Sequence, residues 1–498
     1  SIVKTEANTA VDCQTILFRN NKLYFSVGPS YFVFDIPSAQ IKSINLPSFG
    51  PSLINHSFID NLGNIWLGTN GAGLYRLSGI QSDSIYLEKS FNKNSNEQFG
   101  LKSNDISSIY QNTQSNSDIV WIGTRDAGVF NYSYSKNSFD LASSLLNSSE
   151  PNYFGIVKDK DGIIWSGFNY GILKLDRKNK SFHLINLTAQ LSKIQRFIEA
   201  IYCDNENNLW TGFGNSLYKI DKKNNTLIPV LENIYPGKRN QVFRILKYSE
   251  SEILLCNTQG ILIYNIKNGA TEFRNEVDVN GEKMKIEGSN SFFIDSKKNW
   301  WIGSARGLLY INNKTGKGKH FTHLVDDTNS LVSSRIMDIN ETNGGEIIVA
   351  TTKGLSLLKD PDGKTKFRNY YNVKGLSNNF IYGLLRDDKG NFWMSTNFGI
   401  SVYNPTTNDF KSYSASDGVC INEFNSAGFH KSFDGEFLFG GIGGLVSIFP
   451  NNQIINKIVP DVFLKSLKIE NYNDSISNNL NSLELDYDQN KITFEFIV

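Results

Sequence analysis

The stretch "KGNFWMSTNFGISVYN" (residues 389–404) contains a Gly-Asn turn, a strand with a tryptophan, a second turn with glycine and a second strand. The pattern recurs along the whole chain. Close variants are "GNIWLGTNGAGLYRL" around Trp66, "DIVWIGTRDAGVFNY" around Trp121, "GIIWSGFNYGILKLD" around Trp165, "NNLWTGFGNSLYKID" around Trp210 and "KNWWIGSARGLLYIN" at Trp301. Less similar copies lie near Tyr24, Leu254, Ile348 and Leu438. The chain is therefore built from repeated hairpins.

The spacing of the copies indicates the architecture. Trp121 and Trp165 lie 44 residues apart, and Trp210 follows 45 residues later. A further 92 residues, two steps of 46, separate Trp301 from Trp393. A repeat of this length made of strands is typical of β-propeller blades.

The repeats fall into two groups around a Ser- and Asn-rich segment, residues 141–151, with three units before it and seven after it. Seven units can close a ring, and the usual range is four to eight blades. We therefore predict an all-β fold with three parts. Residues 1–145 form three blades of an incomplete propeller, residues 146–455 form a seven-bladed β-propeller, and residues 456–498 form the first strands of a β-sandwich.

Composition excludes several classes of function. The formal net charge is +1, with 50 basic and 49 acidic residues, which favours neither nucleic acid nor an anionic membrane as a partner. No run of about 18 apolar residues is present, so no segment of the sequence is predicted to cross a membrane.

Residues for metal or redox chemistry are few. The four cysteines, Cys13, Cys203, Cys256 and Cys420, have no CxxC spacing and are predicted to be buried thiols in blades. The five histidines are dispersed, and the pair His320 and His323 lacks a third ligand. We therefore predict no metal, no cofactor and no catalytic residue. The blade tryptophans are each predicted to wedge between neighbouring blades.

Three segments resemble a known family. The repeat "GLSNNFIYGLLRDDKGNFWMSTNFGISVYNP" resembles the regulator propeller repeat. The next segment, "DGVCINEFNSAGFHKSFDGEFLFGGIGGLVSIFP", resembles the closing blade that precedes the three-Tyr β-sandwich, and "LELDYDQNKITFEF" is similar to the opening of that sandwich. Together these parts resemble the extracytoplasmic sensor region of hybrid two-component systems in Gram-negative glycan-degrading bacteria.

The resemblance implies two seven-bladed propellers, a sandwich, a membrane helix and a cytoplasmic kinase and regulator, with an oligosaccharide as ligand. It also implies a homodimer, a periplasmic location as part of an inner-membrane protein, and control of glycan-utilisation genes. This chain departs from the pattern because it has only three units before the last seven and stops within the sandwich. We therefore expect membrane attachment through a segment absent here, histidine kinase activity outside this chain, and no direct contact with nucleic acid.

Topology indicates where a ligand would bind. In a propeller, the connections that enter the innermost strands and the turns between second and third strands emerge at the same end of the ring, here called the entering end. The candidate residues at this end are Arg125, Tyr170, Arg196, Arg239, Arg306, Arg335, Lys353, Asn378, Phe398 and Asn422. Planar Arg and Asn groups suit sugar hydroxyls and carboxylates, and aromatic rings stack on pyranose faces. For any single residue, the alternative is a solvated loop side chain.

Two other functions stay open at this point. A propeller glycosidase or lyase would need carboxylates, or His, Tyr and Arg, converging in the funnel with perturbed pKa values. A protein-interaction scaffold would instead show an exposed apolar patch.

Overall fold

The computed structural model describes residues 12–80, 85–93, 101–112, 119–134, 140–141, 152–168, 171–179, 181–187, 198–234, 241–361, 366–419, 421, 423–452, 463–469 and 491–497. Strands dominate this part of the chain. Its helical segments are two short 3-10 turns, Ala415–Asp417 and Pro450–Asn452. The all-β prediction is confirmed.

The chain divides into two compact units. The first holds Ser1–Ser90, Asp105–Asn131 and Ile455–Val498, and the second holds Phe91–Asn104 and Tyr132–Ile454. The division predicted from the sequence at residues 145 and 455 stays a prediction. One strand before residue 145, Asp140–Leu141, pairs with the last sheet of the second unit.

Three sheets come first along the chain, and most of their residues belong to the first unit. Sheet 1 is Cys13–Arg19 (β1), Lys22–Val27 (β2), Ser30–Asp35 (β3) and Gln40–Ile44 (β4). Sheet 2 is Ile54–Ile59 (β5), Ile65–Thr69 (β6), Leu74–Ser78 (β7) and Tyr86–Phe91 (β8). Sheet 3 is Ile106–Tyr110 (β9), Ile119–Thr124 (β10) and Val129–Ser133 (β11). The strand Asp140–Leu141 (β12) follows.

The second unit continues with three four-stranded sheets. Sheet 4 is Tyr153–Lys158 (β13), Ile164–Phe168 (β14), Gly171–Asp176 (β15) and Ser181–Asn186 (β16). Sheet 5 is Ala200–Cys203 (β17), Leu209–Phe213 (β18), Ser216–Asp221 (β19) and Thr226–Leu231 (β20). Sheet 6 is Val242–Lys247 (β21), Glu252–Asn257 (β22), Gly260–Asn265 (β23) and Thr271–Arg274 (β24).

Sheet 7 carries an inserted hairpin that the repeat pattern did not predict. Its extra strands are Glu276–Val279 (β25) and Glu282–Lys285 (β26), and its repeat strands are Ser291–Ile294 (β27), Trp300–Ser304 (β28), Gly307–Ile311 (β29) and Lys317–Phe321 (β30). The insertion pairs in parallel with the outer strand β30, so the sheet has six strands.

The remaining sheets complete the unit and the chain. Sheet 8 is Ile336–Glu341 (β31), Ile347–Thr351 (β32), Gly354–Leu358 (β33) and Phe367–Tyr370 (β34). Sheet 9 is Ile381–Arg386 (β35), Phe392–Thr396 (β36), Ile400–Asn404 (β37) and Asp409–Tyr413 (β38). Sheet 10 is Phe424–Lys431 (β39), Phe437–Gly441 (β40), Gly444–Ile448 (β41) and β12. Phe463–Ile469 (β42) and Ile492–Ile497 (β43) form sheet 11 in the first unit.

Sheets 4 to 10 form a closed ring. The inner strand β39 contacts both β35 of the preceding sheet and β13 of the first sheet in the ring. Each pair of neighbouring sheets shares one buried apolar cluster, as in the cluster of Trp165, Ile201 and Cys203 between sheets 4 and 5. The strand β12, which precedes sheet 4, supplies the outer strand of sheet 10 and fastens the two ends of the ring together.

A buried aspartate organises the turn before each of five blade tryptophans. In sheet 9, Asp387 Oδ1 accepts the backbone N–H groups of Lys389 and Asn391, at 3.0 and 2.8 Å. Its Oδ2 accepts the Asn391 amide at 2.9 Å and the indole N–H of Trp393 at 3.1 Å. The same indole bond, six residues apart, joins Asp60 to Trp66, Asp159 to Trp165, Asp204 to Trp210 and Asp295 to Trp301.

Two sequence predictions need correction. Trp121 does not wedge between blades, because its side chain is 45% exposed. It lies in sheet 3, and Ser115 stands where the five other tryptophan units have the aspartate. Cys13 is exposed, since most of β1 is exposed. Cys203 and Cys256 are buried as predicted, and Cys420 lies outside the described residues.

Candidate functional site

The predicted ligand residues occupy different surroundings. Arg125 is exposed in the first unit and lies 3.5 Å from Asp105, and Arg306 is exposed and bonded to Glu287 at 2.6 Å. Phe398 is 55% exposed. Four of the predicted residues, Tyr170, Arg196, Arg239 and Asn422, lie outside the described part of the chain.

The other three predicted residues lie on connections of the neighbouring sheets 8 and 9. The exposed Arg335 precedes β31, and its backbone oxygen accepts the N–H of Thr352 at 3.3 Å. Thr352 and the exposed Lys353 form the turn between β32 and β33. Asn378 lies in the loop before β35, where its side-chain oxygen caps the N–H of Phe380 at 2.8 Å. The structure therefore gathers part of the prediction at one point of the entering end.

A groove of about 470 Å³ opens at this point. We call it the loop groove. It is lined by His323, Leu324, Val325, Asp327, Thr328, Ser330, Leu331, Val332, Thr352, Lys353, Asn369, Tyr371 and Asn379. Of the residues predicted from the sequence, only Lys353 is part of this lining, and Asn378 is adjacent to it in the chain.

The loop groove has a rigid wall because its loop bonds to itself. Ser330 Oγ accepts the N–H of Leu324 at 2.9 Å and donates to the backbone oxygen of Asp327 at 2.7 Å. The Asn369 amide, on β34, donates to the backbone oxygens of Ser330 and Thr328 at 2.8 and 3.2 Å. These bonds fix the loop on sheet 8 before any ligand arrives.

Tyr371 is the aromatic residue of the groove, and it is 54% exposed. Gly354 lets it approach the turn that carries Lys353. The φ of Gly354 is 138°, and a Cβ there would lie 2.4 Å from the backbone oxygen of Tyr370 and 3.1 Å from Cβ of Tyr371. The amides of Asn372 and Asn379 bond to each other at 2.6 Å, which holds the loop that follows. An exposed ring thus stands beside a lysine on a fixed frame.

Sequence reasoning did not find Tyr371 or the 323–332 loop, because it considered one position for each connection. The signal available was the long connection between Phe321 and Ile336, which carries the adjacent apolar residues Leu324 and Val325. Val325 is 87% exposed. An exposed apolar pair in an ordered loop is a feature of binding surfaces.

The centre of the ring holds a second polar group that the sequence did not indicate. Arg244 on β21 forms an ion pair with Asp338 on β31 at 2.7 Å, and its guanidinium lies 4.8 Å from the ring centre of Phe429 on β39. The other oxygen of Asp338 accepts the N–H of Leu384 on β35 at 2.9 Å. This network links four inner strands across the channel.

The described residues offer no cluster of three His, Cys, Asp or Glu side chains that could hold a metal ion. The two histidines of the HxxH pair have different surroundings. His323 Nδ1 lies 2.7 Å from the backbone oxygen of Leu331. Burial lowers the pKa of His320 on β30. In the part of the chain that the structure describes, no helix is both long and apolar enough to span a membrane.

Comparison with known proteins supports the resemblance. Residues 375–398 match the family described as two component regulator propeller. The chain is 25% identical over 221 residues to Histidine kinase P4 of Formosa agariphila, and this match covers 42% of the chain. It covers 16% of that kinase, so the chain spans about a sixth of this relative's length.

Among solved structures, the extracellular domain of the putative hybrid two component system BT3049 from B. thetaiotaomicron is similar. Its TM-score is 0.63, with 20% identity, and the match covers 97% of this chain and 69% of that domain. The extracellular domain of the putative one component system BT4673 from B. thetaiotaomicron matches with a TM-score of 0.49 and 17% identity, over 99% of this chain and 65% of that one. This chain therefore carries the two-component regulator propeller repeat on the fold of an extracellular domain of a hybrid two-component system.

Proposed function

We propose that this chain is the ligand-sensing extracytoplasmic part of a hybrid two-component sensor kinase, and that it binds an oligosaccharide in the loop groove. The observation that carries the proposal is the exposed ring of Tyr371 beside Lys353 on a loop that is already fixed. Aromatic rings stack on sugar faces, and fixed loops lower the entropy that binding costs. The matched repeat and the similar kinase support the signalling role.

The exposed basic residues in and near the loop groove favour a glycan with acidic groups. Lys353 and Arg335 are exposed on adjacent connections, and Asp327 is the acidic residue of the lining. A carboxylate or sulfate on the sugar would bond to such cations more strongly than a hydroxyl does. The predicted residues Lys353, Arg335 and Asn378 thus keep a place in the proposal.

The proposal includes the transmission of the signal. The chain would be the periplasmic part of an inner-membrane protein, would act as a homodimer and would itself be no enzyme. Ligand binding changes the output only if the ligand has different affinities for two arrangements of the sensor. Control of glycan-utilisation genes would follow from the kinase and regulator that the resemblance implies.

The test is incubation of the chain with a panel of neutral and acidic oligosaccharides, followed by melting temperature and by analysis of the sugar. A ligand at 100 times its Kd stabilises the fold by about 2.7 kcal/mol. We expect one of the sugars to raise the melting temperature and to be recovered intact. Tyr371→Ala should bind this sugar at least fivefold more weakly. Tyr86→Ala is the matched control, because Tyr86 is 56% exposed on β8 in the other unit.

Each other outcome selects a different function. A cleaved sugar would show a glycosidase or lyase. A panel without any shift would contradict sugar sensing and favour a protein-interaction scaffold. Equal affinity in Tyr371→Ala and the unchanged chain would place the sugar site outside the loop groove.

A further inference from the structure

A second cavity, of about 400 Å³, lies among the inner strands of sheets 4, 5, 6, 9 and 10. We call it the inner-strand cavity. Its lining includes Asn205 and Phe433, which stand in the turns that follow inner strands. Those turns emerge at the end of the ring opposite to the entering end. The inner-strand cavity is therefore a different place from the loop groove.

An irregular inner strand shapes one wall of this cavity. In β39 the pairing with β40 jumps from Phe424 opposite Gly441 to Phe429 opposite Phe439, so that residues 425–428 bulge out of the ladder. Within the bulge, Ala427 has a φ of 54° and lines the cavity. Left-handed backbone at a residue other than glycine costs free energy, and bulges often re-aim side chains next to functional sites.

A residue of the bulge in sheet 10 bonds to the carboxyl group of Glu199 in sheet 5, with sheet 4 between them. Ser426 Oγ donates to Glu199 Oε1 at 2.8 Å, and Glu199 directly precedes β17. The approach is close, because a Cβ on Gly155 of the intervening sheet 4 would lie 2.2 Å from the backbone oxygen of Glu199. Ser426 of sheet 10 thus holds the side chain of Glu199 at the cavity, while the backbone of Glu199 packs closely on sheet 4.

Two polar residues of the lining, Glu199 and His430, have hydrogen-bonding capacity that the described protein groups do not use. Within the described residues, Glu199 makes no side-chain hydrogen bond besides the one from Ser426. The Nε2 atom of His430 is buried and unbonded. Burial raises the pKa of Glu199 and lowers that of His430 to about 4, so His430 is neutral at pH 7. Buried polar groups are almost always fully bonded, so unused bonding capacity on two residues that line a cavity points to a ligand.

The charges around the cavity balance one another. Arg244, which also lines it, is neutralised by Asp338, and Lys158 beside His430 is neutralised by Asp434 and Glu436, at 2.6 and 2.7 Å. A charged ligand would therefore lose its hydration without gaining a free counter-charge. A ligand hydroxyl loses less hydration free energy than a charged group, and it can donate a hydrogen bond to the Glu199 carboxyl and can either donate to or accept from neutral His430.

Apolar and aromatic side chains make up much of the remaining lining. Ile156, Val157, Ile201 and Leu246 line the wall, and Phe433 stands in the lining with 63% of its surface exposed. Tyr202 adds a phenol group. Cavities of this size with an apolar wall and a few polar groups are typical sites for small molecules.

We propose that the inner-strand cavity binds a neutral, hydroxyl-rich small molecule of monosaccharide size, which bonds to Glu199, His430 and Tyr202. This site is independent of the loop groove, so the proposal does not rest on the oligosaccharide function.

The experiment is isothermal titration of the whole 498-residue chain at pH 7 with D-glucose, D-galactose, D-mannose, D-xylose and myo-inositol, and with D-glucosamine and D-glucuronate as charged probes. We expect at least one neutral compound to bind, and to bind at least tenfold more tightly than either charged one. Glu199→Leu should weaken this binding at least fivefold because it leaves a ligand hydroxyl unbonded. Glu199→Gln should bind within about threefold of the unchanged chain, since an amide both donates and accepts.

Tyr202→Phe keeps the ring and removes one hydroxyl, and it tests the site even if Glu199→Leu does not fold. It should also weaken binding at least threefold. Tyr371→Ala, in the loop groove, should leave the affinity for the small neutral compound unchanged, which separates the two proposals. The inference is overturned if no neutral compound binds, if a charged probe binds more tightly, or if Tyr202→Phe binds with unchanged affinity.

Discussion

Arg244 and Asp338 form an ion pair at 2.7 Å although their strands belong to sheets 6 and 8, which are not neighbours in the ring. Gly383 holds the equivalent register position in β35. Phe429, whose ring lies under the Arg244 guanidinium, occupies the space that a side chain at Gly383 would need. The pair therefore braces the ring from inside, in addition to the apolar clusters between neighbouring sheets.

Replacement of Asp338 by alanine should destabilise the protein strongly. The change leaves Arg244, whose side chain is 14% exposed, without its counter-charge, and it leaves the N–H of Leu384 without an acceptor. Breaking a buried ion pair from one side typically costs about 3–5 kcal/mol. Urea unfolding of the variant and the unchanged protein measures the loss.

The double variant Arg244→Met with Asp338→Leu is the control for this prediction. It removes both charges and keeps apolar volume, so we expect it to lose less free energy of unfolding than Asp338→Ala alone. If the single variant loses under about 1 kcal/mol, the pair does not brace the ring.

The sequence predicted the sheets well, whereas the contacts at the candidate sites depend on the closed ring, and particular residues show why. The blade tryptophans repeat at nearly constant spacing because each one is bonded to its own turn, as Trp393 is to Asp387. That signal is local. Arg244 and Asp338 are 94 residues apart and neither belongs to a motif, so only the closed ring brings them together.

The contacts of the loops could not be predicted either, because they also join residues that belong to no common motif. The topology correctly placed Lys353 at the entering end, but Tyr371 reaches it only through the close approach at Gly354. The pairing of β12 with β41 joins segments about 300 residues apart through two residues. No periodicity in the chain marks either contact.

Asp387 should contribute far more to the free energy of unfolding than its exposed neighbour Asp388. Asp387→Ala removes acceptors for two backbone N–H groups, the Asn391 amide and the indole of Trp393. Hydrogen bonds to charged groups contribute about 1.5–3 kcal/mol each, and several are lost together, so we expect a loss of roughly 3 kcal/mol or more.

The matched control is Asp388→Ala. Asp388 is 64% exposed and pairs with Lys431 at 2.9 Å, and such surface pairs contribute about 0–1 kcal/mol. Thermal and urea unfolding of both variants measure the two losses of stability. Similar losses for Asp387→Ala and Asp388→Ala would show that the buried turn is not what holds the blade.

His430 should make the protein less stable in mild acid. Burial and the nearby Lys158 lower its pKa from 6.5 to about 4, against the opposite influence of Glu436 and Asp434. Below pH 6.5 the unfolded chain binds a proton at this position that the folded chain does not, so the free energy of unfolding falls as the pH drops from 6.5 towards 4. Glu199 acts the other way, because its raised pKa means that its contribution is lost as the pH rises.

The measurement is the free energy of unfolding in urea at several pH values from 7 to 4.5. His430→Gln cannot titrate, so its stability should change less over this range than that of the unchanged protein. The control His183→Gln alters an exposed residue of β16 and should keep the original slope. An unchanged slope in His430→Gln would contradict the prediction.

Gly383→Ala should destabilise the ring by overpacking its channel. A Cβ at this position would lie 2.1 Å from Cδ1 of Phe429, whose ring lies under the guanidinium of Arg244. The ring must move, and with it the ion pair, so we expect a loss of about 1–3 kcal/mol in urea unfolding. Gly344→Ala is the control, since the nearest atom to its added Cβ is 3.8 Å away and its φ is not left-handed. In a Phe429→Ala background the added methyl group has space, so Gly383→Ala should then have little effect on the free energy of unfolding. A loss of stability that persists in that background would mean that the backbone at Gly383, and not the contact with Phe429, requires glycine.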